Sequence, residues 1–162
     1  MKILFLHLSD AHLTQETNLS EINTNAIVNS LSQMGNFDEC VLVFSGDIAN
    51  SGNENEYKVA GRMFGRIIKG IIDKYFDGNK HIQTLIVPGN HDNLVGNPDR
   101  KREEIIGFYK DKKTESHYYD DLVELDNFFD FANRNYCFSR NKNIEIRSLR
   151  FGSFMIKVNL IN

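Results

Sequence analysis

Three short polar motifs along the chain combine residue types that can bind metal ions. In chain order they are Asp10-Ala11-His12, Gly46-Asp47 and Gly89-Asn90-His91-Asp92. Carboxylate oxygens, imidazole nitrogens and an amide oxygen form a mixed donor set, which suits divalent Mn, Fe or Zn. Taken alone, an Asp-x-His pair or a Gly-Asp step is ordinary turn chemistry at the end of a strand. The chemistry therefore depends on whether the fold brings the three motifs together.

Each motif follows a short apolar run that predicts a buried strand. The runs cover residues 3–8, 40–44 and 82–87, and each is too short for a typical helix. Helical spacing of apolar residues predicts helices between them, over residues 20–34 and 54–75, with Ser20 as a cap and Gly35 as a stop. This alternation is typical of βαβ units with a parallel sheet. Because parallel strands end along one edge, we expect the three motifs to converge there.

The second half of the chain has a different pattern. A mixed-charge segment extends to residue 119, and apolar residues between 122 and 132 predict another helix. Alternating apolar residues around Gly152-Ser153 predict a β-hairpin with a short turn. Acids interrupt the basic residues of segment 100–113, which favours a solvated helix face over a phosphate-binding patch. Residues 93–119 form the one long loop that we expect to cover the site.

Composition limits the class of protein. The 162 residues are 41% hydrophobic and 25% charged, which indicates one globular domain over residues 1–162. A net charge of −3 gives no general attraction to nucleic acid or anionic membrane, although a local nucleic-acid site stays open. No apolar run is long enough to span a membrane. Cys40 and Cys137 do not form a disulfide framework, so a cytoplasmic location is expected. The oligomeric state is left open.

The ordered motifs resemble the signature of the calcineurin-like metallophosphoesterases. The segment from Ser45 to Gly52, followed by Glu56-Tyr57, is similar in particular to the branch of class III cyclic-nucleotide phosphodiesterases. The resemblance implies an α/β fold, the metallophosphoesterase-type α/β/β/α sandwich, with two divalent metal ions at the strand ends. In this chain the sandwich would be incomplete, with a parallel βαβαβ half followed by a helix and a hairpin.

The resemblance also implies four metal ligands. Asp10 and His12 would bind one ion, Asp47 would bridge the two ions, and Asn90 would bind the second. Two cations that bind phosphate oxygens and acidify a water between them would supply a hydroxide for in-line attack on phosphorus. No Ser or Cys nucleophile would then be required.

Two further residues are implied to act on the phosphate. His91 would be the leaving-group acid or a charge stabiliser, and Asp92 would orient its imidazole, although another carboxylate is an alternative partner. The later His and the Gly-His-x-His segment of the family do not occur in this sequence. Among the remaining histidines, we expect His7 in the core and His81 at the far end of its strand. His117 falls in the charged segment, where a ligand role is the weaker alternative.

The predicted function is that of a metal-dependent phosphohydrolase, more specifically a phosphodiesterase. Its substrate would be a small phosphate ester or a nucleotide. The alternative is a non-catalytic module that binds metal, phosphate or a partner on the same scaffold, and a nuclease is a weaker third reading because the chain is acidic. Because the sequence ends within a predicted strand, we expect the N-terminal part of a longer domain, with a sheet face or edge exposed. Each metal would then lack ligands that the family supplies, so the activity of this part by itself is left open.

Overall fold

The computed structural model describes residues 1–19, 22–78, 80–94, 125–136 and 144–161. Several features predicted from the sequence lie outside these residues. They are the Ser20 cap, the basic segment 100–113, most of the loop 93–119, His117 and Cys137.

Three parallel strands form the sheet that positions the motifs. They are β1 (Ile3–Leu8), β2 (Glu39–Ser45) and β3 (Gln83–Val87), in the spatial order β1-β2-β3. Leu6 pairs with Leu42, and Leu42 pairs with Thr84. The three predicted strands are confirmed, with bounds that differ from the prediction by one residue or less.

Two helices connect these strands. The first, α1 (Thr24–Ser30), is extended by a 3-10 turn and stops at Gly35, whose φ of 70° is easiest for glycine. Asn23 caps this helix, because its side-chain oxygen accepts a hydrogen bond of 2.9 Å from the amide of Ala26. The second helix, α2 (Glu54–Tyr75), has the predicted bounds.

The helices pack on one face of the sheet. The ring of Phe44 on β2 lies 5.1 Å from that of Phe64 on α2, and both side chains are fully buried. A third helix, α3 (Asp126–Tyr136), covers α2, with Phe131 stacked 5.3 Å from Tyr57. The large aromatic side chains therefore join the sheet, α2 and α3 into one core.

A β-hairpin follows α3, as predicted. Strands β4 (Ile144–Phe151) and β5 (Phe154–Ile161) are antiparallel and form a separate two-stranded sheet, joined by Gly152-Ser153. The side-chain amide of Gln83 on β3 donates a hydrogen bond of 3.4 Å to the carbonyl of Arg150 on β4. The mixed α/β organisation is confirmed, and it is consistent with the implied sandwich.

The sheet face opposite the helices is partly open near β1. Strand alternation places Phe5 and His7 on this face, and Phe5 is 47% exposed. The prediction that His7 is a core residue is wrong, because its side chain is exposed. His7 nevertheless has a partner, since its Nε2 lies 2.6 Å from Oγ of Ser45.

Two further observations concern the composition. Cys40 is a buried free cysteine, and burial raises the pKa of its thiol to about 11. Among the described residues, no helix combines the length and the hydrophobicity that a membrane crossing requires.

Candidate metal centre

The loops after β1 and β2 lie side by side beyond the sheet. The amide of Asp10 donates to the carbonyl of Gly46 at 3.2 Å, and the amide of His12 donates to the carbonyl of Asp47 at 3.0 Å. A parallel bridge between Leu13 and Ala49 continues this pairing. The first two motifs are therefore held together by backbone hydrogen bonds, as expected for loops at the carboxyl ends of neighbouring parallel strands.

The backbone at these motifs adopts a conformation that side chains disfavour. Asp10, His12 and Asp47 have φ values of 55°, 43° and 54°, and among the described non-glycine residues Asp77 is the other with a positive φ. Each such residue costs about 1–3 kcal/mol unless its surroundings hold it there. Strain of this kind is concentrated at sites where a side chain must point in a fixed direction.

Three side chains of the motifs form a cluster with potential metal-ligand atoms. His12, Asp47 and His91 each offer one atom, and these atoms lie within 4.8 Å of one another. The two imidazole rings meet edge to face, with centroids 4.5 Å apart. One residue from each of the three strand ends is thus present, and the donor set of two imidazoles and a carboxylate fits Mn, Fe or Zn.

The other predicted ligands lie next to this cluster. Oδ1 of Asp10 is 3.9 Å from Nε2 of His12, and the Asp10 side chain is 66% exposed. Asn90 begins the 3-10 turn Asn90–Asp92, so it directly precedes His91. The carboxylate of Asp10 therefore lies close to His12, although the three-residue group does not include it, and Asn90 is the chain neighbour of His91.

The imidazole of His91 is held by a backbone group. Its Nδ1 lies 2.9 Å from the carbonyl oxygen of Asn50. Because a carbonyl oxygen only accepts hydrogen bonds, Nδ1 carries the proton, and Nε2 is unprotonated in the neutral ring. The main-chain amide of His91 donates to Oδ1 of Asp47 at 2.9 Å. The imidazole ring and the main-chain amide of His91 both form hydrogen bonds with the loop after β2.

Asp92 has different partners from the one that the resemblance implies. Its side chain is fully buried. It accepts hydrogen bonds from the amides of Ala49 and Gly89, both at 2.9 Å. The Tyr57 hydroxyl also donates to it, at 3.0 Å. The hydrogen bond that orients His91 comes from Asn50 instead, so the expected Asp92–His91 pair is not found in this part of the described chain.

Gly89 makes room for the carboxylate of Asp47. A Cβ atom at position 89 would lie 2.2 Å from Oδ1 of Asp47 and 2.8 Å from its Cγ. Both distances are far below van der Waals contact. The first residue of the third motif therefore has to be glycine for Asp47 to occupy its place.

The surroundings of Tyr57 keep its hydroxyl protonated. Burial of the phenol, and then the charge and hydrogen bond of Asp92, raise the pKa of Tyr57 well above its ordinary value. Tyr57 therefore stays a neutral hydrogen-bond donor at any physiological pH.

Sequence reasoning missed two contributors to this site. The carbonyl of Asn50 orients His91, but a backbone group leaves no sequence signal. Tyr57 was noticed only as part of the resemblance to one branch of the family, although a tyrosine among phenylalanines and isoleucines has a hydroxyl that needs a partner when buried. His81 precedes β3, at the end of the strand opposite the cluster, as predicted.

Comparison with known proteins agrees with this geometry. A family model described as calcineurin-like phosphoesterase matches residues 3–154. No curated protein and no solved structure matches the chain significantly.

Proposed function

Because the chain belongs to the calcineurin-like phosphoesterase family, we propose that it hydrolyses phosphate esters with divalent metal ions and that phosphodiesters are its preferred substrates. The observation that carries this proposal is the cluster of His12, Asp47 and His91 at the ends of three parallel strands. These residues are far apart in sequence, and the fold brings their two imidazoles and one carboxylate to a single accessible edge.

Of the cluster, we assign His12 and Asp47 to metal binding, together with Asp10 and Asn90. These four residues would hold two divalent ions, Mn, Fe or Zn, and the third member of the cluster, His91, is assigned to proton transfer instead. Bound ions would neutralise the charge on phosphate oxygens and lower the pKa of a water molecule. Asp47 suits the central position because its carbonyl accepts a hydrogen bond from the amide of His12 and its carboxylate accepts one from the amide of His91. Asn90 supplies a neutral oxygen, which limits the negative charge that an anionic substrate meets.

His91 is assigned the proton transfer to the leaving group. Nδ1 is committed to the carbonyl of Asn50, so Nε2 is the atom that takes up and gives away a proton. A protonated Nε2 would donate to the alkoxide that departs from phosphorus. The hydrogen bond from Nδ1 orients the ring and leaves Nε2 as the nitrogen that can act on the substrate.

The preference for diesters, and for nucleotides among them, rests on the segment from Ser45 to Gly52 and on Glu56. In the structure Glu56 is buried and accepts hydrogen bonds from the amides of Ser51 and Asn53, at 2.9 and 3.0 Å. It therefore shapes the loop after β2, which is where a specificity determinant would lie. We also retain the proposal of a cytoplasmic location, which rests on the cysteine content alone.

The experiment compares the parent protein with Asp47→Asn on an aryl phosphodiester and the matching monoester, with Mn²⁺. The control is Asp73→Asn, the same change on the exposed face of α2, where Asp73 pairs with Lys69. We expect Asp47→Asn to lose at least about 100-fold in rate, since it removes charge at the ion site, and Asp73→Asn to match the parent. Equal rates for the parent and Asp47→Asn would refute the proposal. Stoichiometric metal binding without turnover would favour a non-catalytic module.

A further inference from the structure

We propose that Asp92 is a positioning residue, whose buried carboxylate holds Asp47 and His91 at the spacing that the centre needs. This inference rests on the proposed function. It assigns Asp92 no contact with substrate and no proton transfer.

The Asp92 carboxylate accepts four hydrogen bonds, three from amides of the two loops and one from Tyr57 on α2. Its Oδ2 accepts from the amides of Gly89 and Ile48, at 2.9 and 3.2 Å. Its Oδ1 accepts from the amide of Ala49 at 2.9 Å and from the hydroxyl of Tyr57 at 3.0 Å. A carboxylate with no exposed surface is stable only when such donors surround it. Asp92 is therefore committed to the loops and is not available to orient His91.

The hydrogen bonds between the loop after β2 and the loop after β3 are reciprocal. The carboxylate of Asp47 accepts from the amide of His91, and the carboxylate of Asp92 accepts from the amide of Ile48, the residue after Asp47. Residues 47–48 and 91–92 are thus joined twice, once in each direction. A single bond would leave the loops free to rotate about it, whereas two bonds fix their separation and orientation.

The clamp, meaning the two reciprocal hydrogen bonds between residues 47–48 and 91–92, is anchored in the core. Tyr57 lies on α2, and its ring stacks on Phe131 of α3 and meets Phe128 edge to face. Its hydroxyl reaches both the carboxylate and the carbonyl of Asp92. The centre is therefore supported from α3 through Tyr57 to Asp92, and not by the loop segments alone.

The test uses Asp92→Asn in the full chain. In asparagine, an amide group replaces one carboxylate oxygen, so at least one buried amide loses its acceptor. The matched control is Ile71→Ala. Ile71 is fully buried and lies about 21 Å beyond Tyr57 along α2, at 1.5 Å per residue. It destabilises the core without a contact to the clamp.

The first readout is hydrogen exchange of the His91 amide without metal, measured by NMR. That amide bonds to Asp47 and not to Asp92, so faster exchange reports a change in position. After correction for global stability, we expect exchange at least about tenfold faster in Asp92→Asn than in Ile71→Ala. Mn²⁺ affinity, measured by calorimetry, should fall about 10–100-fold in Asp92→Asn and stay within about twofold in the control.

Equal exchange of the His91 amide in Asp92→Asn and Ile71→Ala would overturn the proposal. If Asp92→Asn does not fold, Tyr57→Phe decides, since it removes one donor and keeps the ring. Faster His91 exchange in that variant supports the clamp, and unchanged exchange refutes it. A parent protein without turnover, but with the exchange effect, would reject the proposed function and leave the positioning role intact.

Discussion

Replacement of Gly89 by alanine tests the close approach of the second and third motifs. Gly89 has φ of −110° and ψ of −171°, an extended conformation that alanine adopts without strain. Any loss therefore comes from the added methyl group and not from the backbone. That methyl group would lie 2.2 Å from Oδ1 of Asp47 and 2.5 Å from its amide nitrogen.

The magnitude follows from these distances. Contacts of a Cβ atom below 3.0 Å are essentially never seen, so the added methyl group and the Asp47 oxygen must separate by about 0.8 Å, from 2.2 to 3.0 Å. Such a shift breaks the 2.9 Å bond from the His91 amide, which is worth about 1.5–3 kcal/mol when the acceptor is charged. Overpacking adds about 1–3 kcal/mol where the surroundings are rigid. We expect a loss of about 3–5 kcal/mol in the free energy of unfolding.

Urea denaturation measures this loss, and Mn²⁺ calorimetry measures the effect on the centre. The control is Gly65→Ala on α2, where an added Cβ meets nothing within 4 Å. There alanine should stabilise the protein by about 0.5–1 kcal/mol, because glycine is unfavourable in a helix interior. The two substitutions thus have opposite predicted signs. If Gly89→Ala keeps the parental stability and Mn²⁺ affinity, the described packing of Asp47 is wrong.

Three further predictions concern Glu56, Cys40 and His91. Glu56→Ala removes an acceptor for two amides and should cost about 2–4 kcal/mol in urea denaturation, whereas Glu56→Gln keeps one oxygen and should cost about 1 kcal/mol. With its pKa raised to about 11, the Cys40 thiol should be alkylated at pH 8 about 100-fold more slowly than a thiol with the ordinary value of 9.0. Stability should also decrease as pH rises from 9 towards 11, because unfolding releases a thiol that ionises more easily. His91→Gln should lower kcat by about 10²–10⁴-fold, measured at saturating Mn²⁺.

Each of these has an outcome that contradicts it. Equal costs for Glu56→Gln and Glu56→Ala would show that the hydrogen bonds do not hold the loop. Alkylation of Cys40 at the rate of a free thiol would contradict its burial. A normal kcat with weakened Mn²⁺ affinity in His91→Gln would make His91 a metal ligand instead of an acid.

The elements of the fold were predictable because their signals are local. The apolar stripe of α2 gave both of its ends, and the alternation around Gly152 gave the hairpin. The start of α1 was not predicted, since Asn23 caps the helix and several polar residues nearby could have done so. His7 was placed in the core because alternation shows that a strand has two faces but not which elements cover each face.

The site was predictable at the level of which strand ends meet, but not at the level of individual hydrogen bonds. Parallel strands bring His12, Asp47 and His91 to one edge, and this follows from the order of elements. The partners of His91 and Asp92 depend on loop conformation, and the acceptor on Asn50 is a backbone carbonyl that every residue has. Adjacent residues such as His91 and Asp92 also point in different directions in a 3-10 turn, so neighbours in a motif need not share a task.

If the strand-end cluster is a metal-dependent hydrolytic centre, hydrolysis depends on bound metal. The most direct measurement is the rate of aryl phosphodiester hydrolysis after removal of metal by a chelator and after return of Mn²⁺, in the parent and in His12→Gln. We expect the parent to lose at least about 100-fold in rate and to recover with Mn²⁺, and His12→Gln not to recover at the same Mn²⁺ concentration. Hydrolysis that survives the chelator, or full recovery by His12→Gln, would contradict this expectation.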